Sequence, residues 1–296
     1  MQQIAIPYTL VGPDGTTVIL DGTGSLDASS APWRLEAVQG LDSANVRAST
    51  EELPEEDGAE FNPGFLGSRP IVLEGATKAD LSFADRNAAM VTLSRASMAL
   101  RGDALLRFQP DGMPALELRV RREQPLRYAG RGPRKTFLLP LVAADPRIYS
   151  QAVNTQTGTA IVQLGAAFDW VFDVNFGGGT GAIRELAVSN AGNFPTPPVV
   201  RIEGPISNPV IANSQTGEQL SLTANGGLSL AAGQWVDVDM LARTVTRNDG
   251  TNEYDKVAFP GSTWWYLNAG STIITLNGAG STGSTKLTAT WRDAWA

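Results

Sequence analysis

Trp235-Val236-Asp237-Val238-Asp239-Met240 alternates polar-facing and apolar positions with a period of two, the spacing of a strand that buries one face and wets the other. Val236, Val238 and Met240 fall on the buried face, which leaves Trp235, Asp237 and Asp239 together on the outer one. The same period appears upstream in Trp33, Leu35 and Ala37 against Arg34 and Glu36, and in Leu116, Leu118 and Val120 against Glu117, Arg119 and Arg121. Between Leu105–Phe108 and Leu116–Arg122 stands Gln109-Pro110-Asp111-Gly112-Met113-Pro114. Its Pro, Asp and Gly supply turn chemistry, so the two runs form a hairpin. An Arg-rich loop through Tyr128 to Arg134 leads to a further strand, Thr136 to Val142. One helical pattern stands out, from Asp85 to about Leu100, where Ala89, Leu93, Ala96 and Leu100 draw a single apolar stripe and Gly102 supplies a stop. A lone helix among strands covers a sheet face or edge with that stripe.

Asp145-Pro146-Arg147-Ile148-Tyr149-Ser150 closes the first half, and the polar stretch Gln151 to Thr159 reads as a linker. Beyond it lie short apolar runs at Trp170–Phe176, Ile183–Val188, Val199–Ile202, Gln219–Thr223, Arg243–Arg247, Ser271–Leu276 and Lys286–Trp291, punctuated by Asn-Gly, Asp-Gly and Ala-Gly. Such spacing predicts an antiparallel sandwich. A length of 296 residues suits two domains, 1–150 and 151–296, and 31 Gly with 18 Pro favour turns and strands. An apolar share of 42% is enough to bury a core in each.

The chain has neither Cys nor His. Disulfides, thiolate nucleophiles, zinc-thiolate sites and histidine-based triads are therefore excluded, and catalysis would rest on carboxylates alone. The start, Met1 to Pro7, has no basic region ahead of an apolar run and does not read as a signal peptide. The longest apolar run, Phe137 to Ala144, is far short of the roughly 20 residues that span a bilayer, so no membrane insertion is expected. A net charge of −7 argues against a dedicated nucleic-acid binder of the usual basic kind.

Four features carry candidate chemistry. Gly177, Gly179 and Ala182, with Glu203 downstream, match a dinucleotide fingerprint formally, but the Pro195, Pro197 and Pro198 cluster leaves no room for the helix that must hold the pyrophosphate. Trp235, Asp237 and Asp239 join a stacking ring to two carboxylates about 7 Å apart, a candidate glycan or ion contact; solvent-facing Asp on a strand is the plain alternative. Hydrolysis would need a protonated acid in a water-poor pocket, which an open strand face lacks. Asn248 to Glu253 is rich in oxygen ligands without the spacing of a calcium loop and reads as a tight turn. Of adjacent Trp264 and Trp265, one reaches toward the surface if both lie in a strand; Trp291 shares a face with Leu287 and Ala289 and reads as core.

Charge is segregated. Glu51, Glu52, Glu55, Glu56, Asp57 and Glu60 form an acidic segment; Arg119, Arg121, Arg122, Arg127, Arg131, Arg134 and Lys135 form a basic one in which Glu123 is the sole acid. Four of the 23 cationic residues are Lys, and Arg suits protein interfaces better than Lys does. Two readings stand at this point: patches that pair between copies of the chain, or two solvated loops in a protein with an Arg-biased composition.

Taken together, these stretches resemble the distal tail protein family of long-tailed bacteriophages, the siphovirus-type tail component. The resemblance lies in Val38-Gln39-Gly40-Leu41-Asp42, Asp57-Gly58, Gly67-Ser68-Arg69-Pro70-Ile71-Val72-Leu73-Glu74-Gly75, the single helix and Ala144-Asp145-Pro146-Arg147-Ile148-Tyr149. In the second half it lies in Asn208-Pro209-Val210-Ile211-Ala212-Asn213, Thr216-Gly217-Glu218, Val236-Asp237-Val238-Asp239, Arg243-Thr244-Val245 and Trp291-Arg292-Asp293-Ala294-Trp295. It implies a mainly β protein: an N-terminal β-sandwich-like domain with one α-helix that assembles into a ring, usually of six copies, and a C-terminal galectin-like β-sandwich. It further implies a structural role without enzyme activity or cofactor, in the virion at the tail tip after synthesis in the host cytoplasm. The implied partners are the tail tube protein, the tape measure protein and tail-tip proteins, with weak host glycan contact as a further candidate. The alternative function is a carbohydrate-binding module on a virion or cell surface.

Overall fold

A computed structural model describes residues 6–21, 31–48, 50–52, 57, 59–61, 64–98, 102–130, 132, 134–159 and 184–296. The chain divides into two compact units, residues 1–151 and 152–295, and among the described residues it is mainly β with one α-helix.

In the first unit the sheet closes on itself. Going round it, the strands are Thr136–Ala143, Arg69–Thr77, Trp33–Gln39, Thr17–Asp21, Tyr8–Val11, Ala104–Phe108 and Leu116–Arg122; the last returns to the first through Arg121 opposite Val142 and Arg122 opposite Leu141. All pairs are antiparallel except Leu20–Asp21 beside Trp33–Arg34. Closure removes the unpaired edges that invite aggregation. Pro140 falls between the stretches of Thr136–Ala143 that pair with Arg127–Ala129 and with Arg121–Arg122, where a residue lacking an N–H is tolerated. The predicted hairpin forms with Phe108 opposite Leu116, and Gly112 takes the positive φ its turn requires. One outward position of the alternation differs from expectation: Glu117 is buried, because Ile148–Ser150 pairs alongside it, and its carboxylate is held by Arg107 directly across the ladder at 3.2 Å.

The helix spans Phe83–Ala96, two residues earlier than its apolar pattern suggests. Ser82 is the N-cap: its hydroxyl accepts from the Asp85 N–H, satisfying a donor the helix cannot satisfy internally. The helix ends at Ala96, with Ser97 as C-cap. Gly102 is therefore not its stop, and Leu100 lies outside the described residues. Ala89, Leu93 and Ala96 are buried as predicted. The last turn comes so close to Gly12 that a Cβ there would stand 2.8 Å from the Ala96 backbone.

Three stretches far apart in sequence meet at one side chain. Arg69 is wholly buried; it donates from Nη1 to the Gly40 and Leu41 carbonyls at 3.2 and 2.8 Å, and from Nε to the Pro146 carbonyl at 2.9 Å. Burial pushes its pKa down and nearby Asp42 opposes that shift. Gly40 is required where it stands: its φ is +88° and a Cβ would collide with the Pro70 carbonyl. Beside Pro146, Asp145 accepts from the Tyr149 hydroxyl at 2.7 Å and from Arg147 at 3.1 Å. Burial, reinforced by Asp145, raises the Tyr149 pKa and keeps that hydroxyl a donor.

The second unit is a sandwich. One sheet runs Asn154–Thr159, Lys286–Trp291, Val199–Glu203, Trp235–Asp239, Thr244–Arg247; the other runs Arg184–Asn190, Gly270–Ala279, Ile206–Asn213, Gln219–Ser221, with Ser229–Leu230 also pairing Ile206–Asn213. Val200, Val236, Val238 and Leu287 from the first pack with Leu186, Ile211, Ile274 and Leu276 from the second. The stretch predicted as a linker, Gln151–Thr159, is mostly strand: Asn154–Thr159 pairs along Lys286–Trp291, with the Thr157 and Thr288 hydroxyls 2.9 Å apart. Its polarity comes from facing water at a sheet edge. Trp291 is core as predicted. Trp264 and Trp265 lie outside the strands, yet Trp265 is fully buried while Trp264 stays partly exposed. The predicted strand Trp170–Phe176 lies outside the described residues.

Replacing Arg69 with Met keeps the bulk but leaves three carbonyls without their donor. The expected loss is about 3 kcal/mol, roughly 6–12 °C in Tm for a unit of this size, read by calorimetry. A loss below about 1 kcal/mol would show that water replaces the guanidinium and that the junction is not a structural anchor.

Candidate interaction surfaces

Trp235, Asp237 and Asp239 do share the outer face of the sandwich, half-buried, while Val236, Val238 and Met240 are fully buried. Each of the three is already engaged. Strand Val199–Glu203 turns Val200 and Ile202 inward, which sends Arg201 outward opposite Asp237. Its Nε and Nη2 fork onto the two Asp237 carboxylate oxygens at 2.7 and 2.9 Å. The same guanidinium lies 3.7 Å over the Trp235 ring centroid, a cation–π contact. The hydrogen bond to Asp237 raises the Arg201 pKa above its ordinary value. Asp239 accepts from the Leu241 and Ala242 N–H groups, both at 2.9 Å, and so ties down the turn after its strand. The sequence placed the face correctly and missed its occupant; the alternation of Val199–Glu203 holds the signal that Arg201 points to that side.

The acidic segment is carried on a ribbon. Thr50–Glu52 and Ala59–Phe61 pair antiparallel with Glu51 opposite Glu60, and Val46–Arg47 pairs Phe65–Leu66 nearer the base. Asp57 is exposed; Glu55 and Glu56 lie outside the described residues. Two acids opposite one another destabilise an isolated ribbon. The basic segment is partly neutralised at home: Arg121 pairs with Asp103 at 2.8 Å, Arg134 with Glu36 at 3.3 Å, and Lys135 donates to the Gly130 carbonyl at 2.8 Å. Arg119 and Arg127 are exposed and make no ion pair among the described residues, while Arg131 lies outside them. Among the described residues no ion pair joins the two segments.

The remaining sequence candidates resolve simply. Gly177, Gly179 and Ala182 lie outside the described residues, and Glu203 ends a strand 3.9 Å from Lys286. Asn248–Glu253 is the tight turn expected: Gly250 has a φ of +87°, Asp249 accepts from the Thr251 N–H, and Glu253 folds back onto Arg247 at 2.7 Å. Among the described residues no group of three or more carboxylates is placed to hold a metal ion, and no helix is long and apolar enough to cross a membrane.

With this geometry in hand, the family model of the siphovirus-type tail component, C-terminal domain, matches residues 191–295. The siphovirus-type tail component family is what this part of the chain resembles. The fold of the tail component resemblance extends further: the crystal structure of phage SPP1 Dit, described as a paradigm of the hub adsorption apparatus in phages that infect Gram-positive hosts, superposes with a TM-score of 0.67 at 14% identity, over 98% of this chain and 99% of that one. A chain of the phage P2 baseplate in its activated conformation with Ca matches with a TM-score of 0.51 at 10% identity, over 96% of this chain and 97% of that one. No curated protein matches the sequence. The resemblance to distal tail proteins read from the sequence, and the mainly β fold it implied, therefore stand.

Arg201→Met removes both the fork to Asp237 and the cation over Trp235. Because the pair is partly exposed, about 1 kcal/mol of stability should go with it, together with a changed Trp235 emission. An unchanged spectrum would mean that the guanidinium does not rest on the ring in solution.

Proposed function

We propose that this chain is a structural hub of a phage tail tip: a ring of identical copies, six on the family's pattern, that joins the tail tube to the distal adsorption apparatus and acts by assembly. The observation that carries the reading is the match of nearly the whole chain, both units in order, to a hub adsorption protein over nearly that protein's whole length. The family match over residues 191–295 supports it independently. The chain works in the virion at the tail tip after synthesis in the host cytoplasm, beside tail tube, tape measure and tail-tip proteins. No cofactor, catalytic residue, nucleic-acid contact or membrane insertion is part of this role.

Within the ring, the acidic ribbon of one copy meets the basic segment of the next. A head-to-tail cyclic interface joins two different patches of the same chain, and here the patches are opposite in sign. Glu51 facing Glu60 gains from an outside cation, and exposed Arg127 offers one. Asp57, Arg127 and Arg134 are exposed, so screening by salt weakens the contact and its main effect is to set register and partner choice.

Native mass spectrometry at low and high salt tests this. The ring should give way to smaller species when Arg127, Arg131 and Arg134 are reversed to Glu, and a second reversal of Glu51, Glu52 and Glu60 to Lys should restore it. A ring indifferent to the first reversal would remove the charge pairing from the account and leave the ring itself standing.

A further inference from the structure

Three aromatic side chains of the second unit gather on one short loop with much of their surface in water. Tyr254 is 44% exposed and Phe259 52%, and Trp264 is partly exposed where it leaves the core. Tyr254 stacks on Trp264 with centroids 6.1 Å apart and planes 11° from parallel, and the Phe259 ring lies 6.4 Å from Tyr254, tilted by 39°. Rings that served only the core would be covered.

The loop is held rigidly. The Ala258 N–H donates to Ser221 O, the Thr263 N–H to Gln219 O, the Ala224 N–H to Lys256 O, and the Ser221 N–H to the Ser262 hydroxyl, each between 2.8 and 3.0 Å. A ligand bound there pays little to order it. The same bonds exclude one class of occupant, since they already use the outer edge of strand Gln219–Ser221 and leave no place for an added peptide strand. A cleft of about 630 Å³ in the same unit, lined by Val153–Gln156, Ala187–Ser189 and Ala191, lies elsewhere.

The stretch Thr223–Asn225, bonded to this loop, and Asp255 within it carry polar side chains. Thr223 is exposed, with its hydroxyl 2.9 Å from that of Ser221. Asn225 is exposed and donates its amide to Asp255 O at 2.9 Å. The Asp255 carboxylate is 55% exposed and touches Lys256 at 3.4 Å. Apolar ring faces flanked by hydroxyl, amide and carboxylate acceptors match a sugar ring, whose C–H face is apolar and whose edge donates hydroxyl hydrogens. We infer that Tyr254, Phe259 and Trp264 form a stacking platform for a neutral pyranose oligosaccharide, with Thr223, Asn225 and Asp255 as its polar rim. The platform is separate from the outer face of Trp235, where Arg201 rests on the ring. Binding by one open platform is weak; its multiplication on a ring rests on the proposed hub, while the platform itself does not.

The full chain titrated with cellotetraose, chitotetraose, mannotetraose and maltotetraose, followed by calorimetry and tryptophan fluorescence, tests the inference. At least one tetraose should bind and change the emission; Phe259→Ala and Tyr254→Ala should each weaken it about tenfold, about 1.4 kcal/mol, while Phe259→Tyr retains it. Phe259 is exposed, so its loss should leave the unfolding temperature unchanged and separate binding from folding. Failure of all four sugars to bind, or binding that survives Phe259→Ala, overturns the platform. So does a change in the mass of the assembled protein on Phe259→Ala, which would assign the rings to a contact between protein copies. Failure of the sugars to bind, or binding that survives Phe259→Ala, leaves the proposed hub untouched, so the two readings fail separately.

Discussion

A buried guanidinium is costly unless its donors find acceptors, and Nε and Nη1 of Arg69 find them on three stretches of the first unit, while the buried Nη2 finds none. Arg69 takes carbonyls from Gly40 and Leu41, about thirty residues back, and from Pro146, 77 residues on. The first pair follows the strand Trp33–Gln39, which precedes the paired stretches Val46–Arg47 with Phe65–Leu66 and Thr50–Glu52 with Ala59–Phe61; Arg69 itself begins the strand after them, and Pro146 lies where the chain completes the closed sheet. One side chain thereby fixes the root of the ribbon and the exit of the unit. This also explains why Val38–Asp42, Gly67–Gly75 and Ala144–Tyr149 carry the family resemblance: they are three sides of one junction. Gly40 permits the close turn, and Asp145 orders the Pro146 side through Tyr149 and Arg147.

The second unit shows the same chemistry at the surface with different consequences. Arg201 is partly exposed, so its fork onto Asp237 and its contact with Trp235 add modest stability. They matter because they occupy the one face on which sequence alternation had placed a sugar contact. The apolar interior of the sandwich supplies the stability. Its loops are free to carry interactions, and the stapled aromatic loop is the one among those described whose rings remain in water on a rigid frame.

Much of the architecture was legible because burial dictates alternation. The Leu105–Arg122 hairpin, the Trp235 strand and the core role of Trp291 follow from period two, and the helix follows from one stripe at Ala89, Leu93 and Ala96. Reading failed where polarity had another cause. Asn154–Thr159 is polar because it is an edge strand, and Glu117 is buried because an alternating pattern does not reveal a third strand beside it. Closure of the sheet is a long-range pairing of Arg121 and Arg122 with Val142 and Leu141, which local composition does not encode. The surface sites were hardest. Which Asp meets which Arg depends on register across strands, and the grouping of Tyr254, Phe259 and Trp264 depends on hydrogen bonds to Gln219 and Ser221.

These features suit a part that works by being assembled: a closed sheet, an acidic ribbon, a basic segment of opposite sign and a second unit with an exposed aromatic loop. The most direct test of the hub account is to raise antibody fragments against the second unit and image labelled phage particles by electron microscopy. The account predicts label confined to the distal end of the tail, several fragments arranged around the tube axis. Label on the capsid, along the tube or on the host surface alone would contradict it.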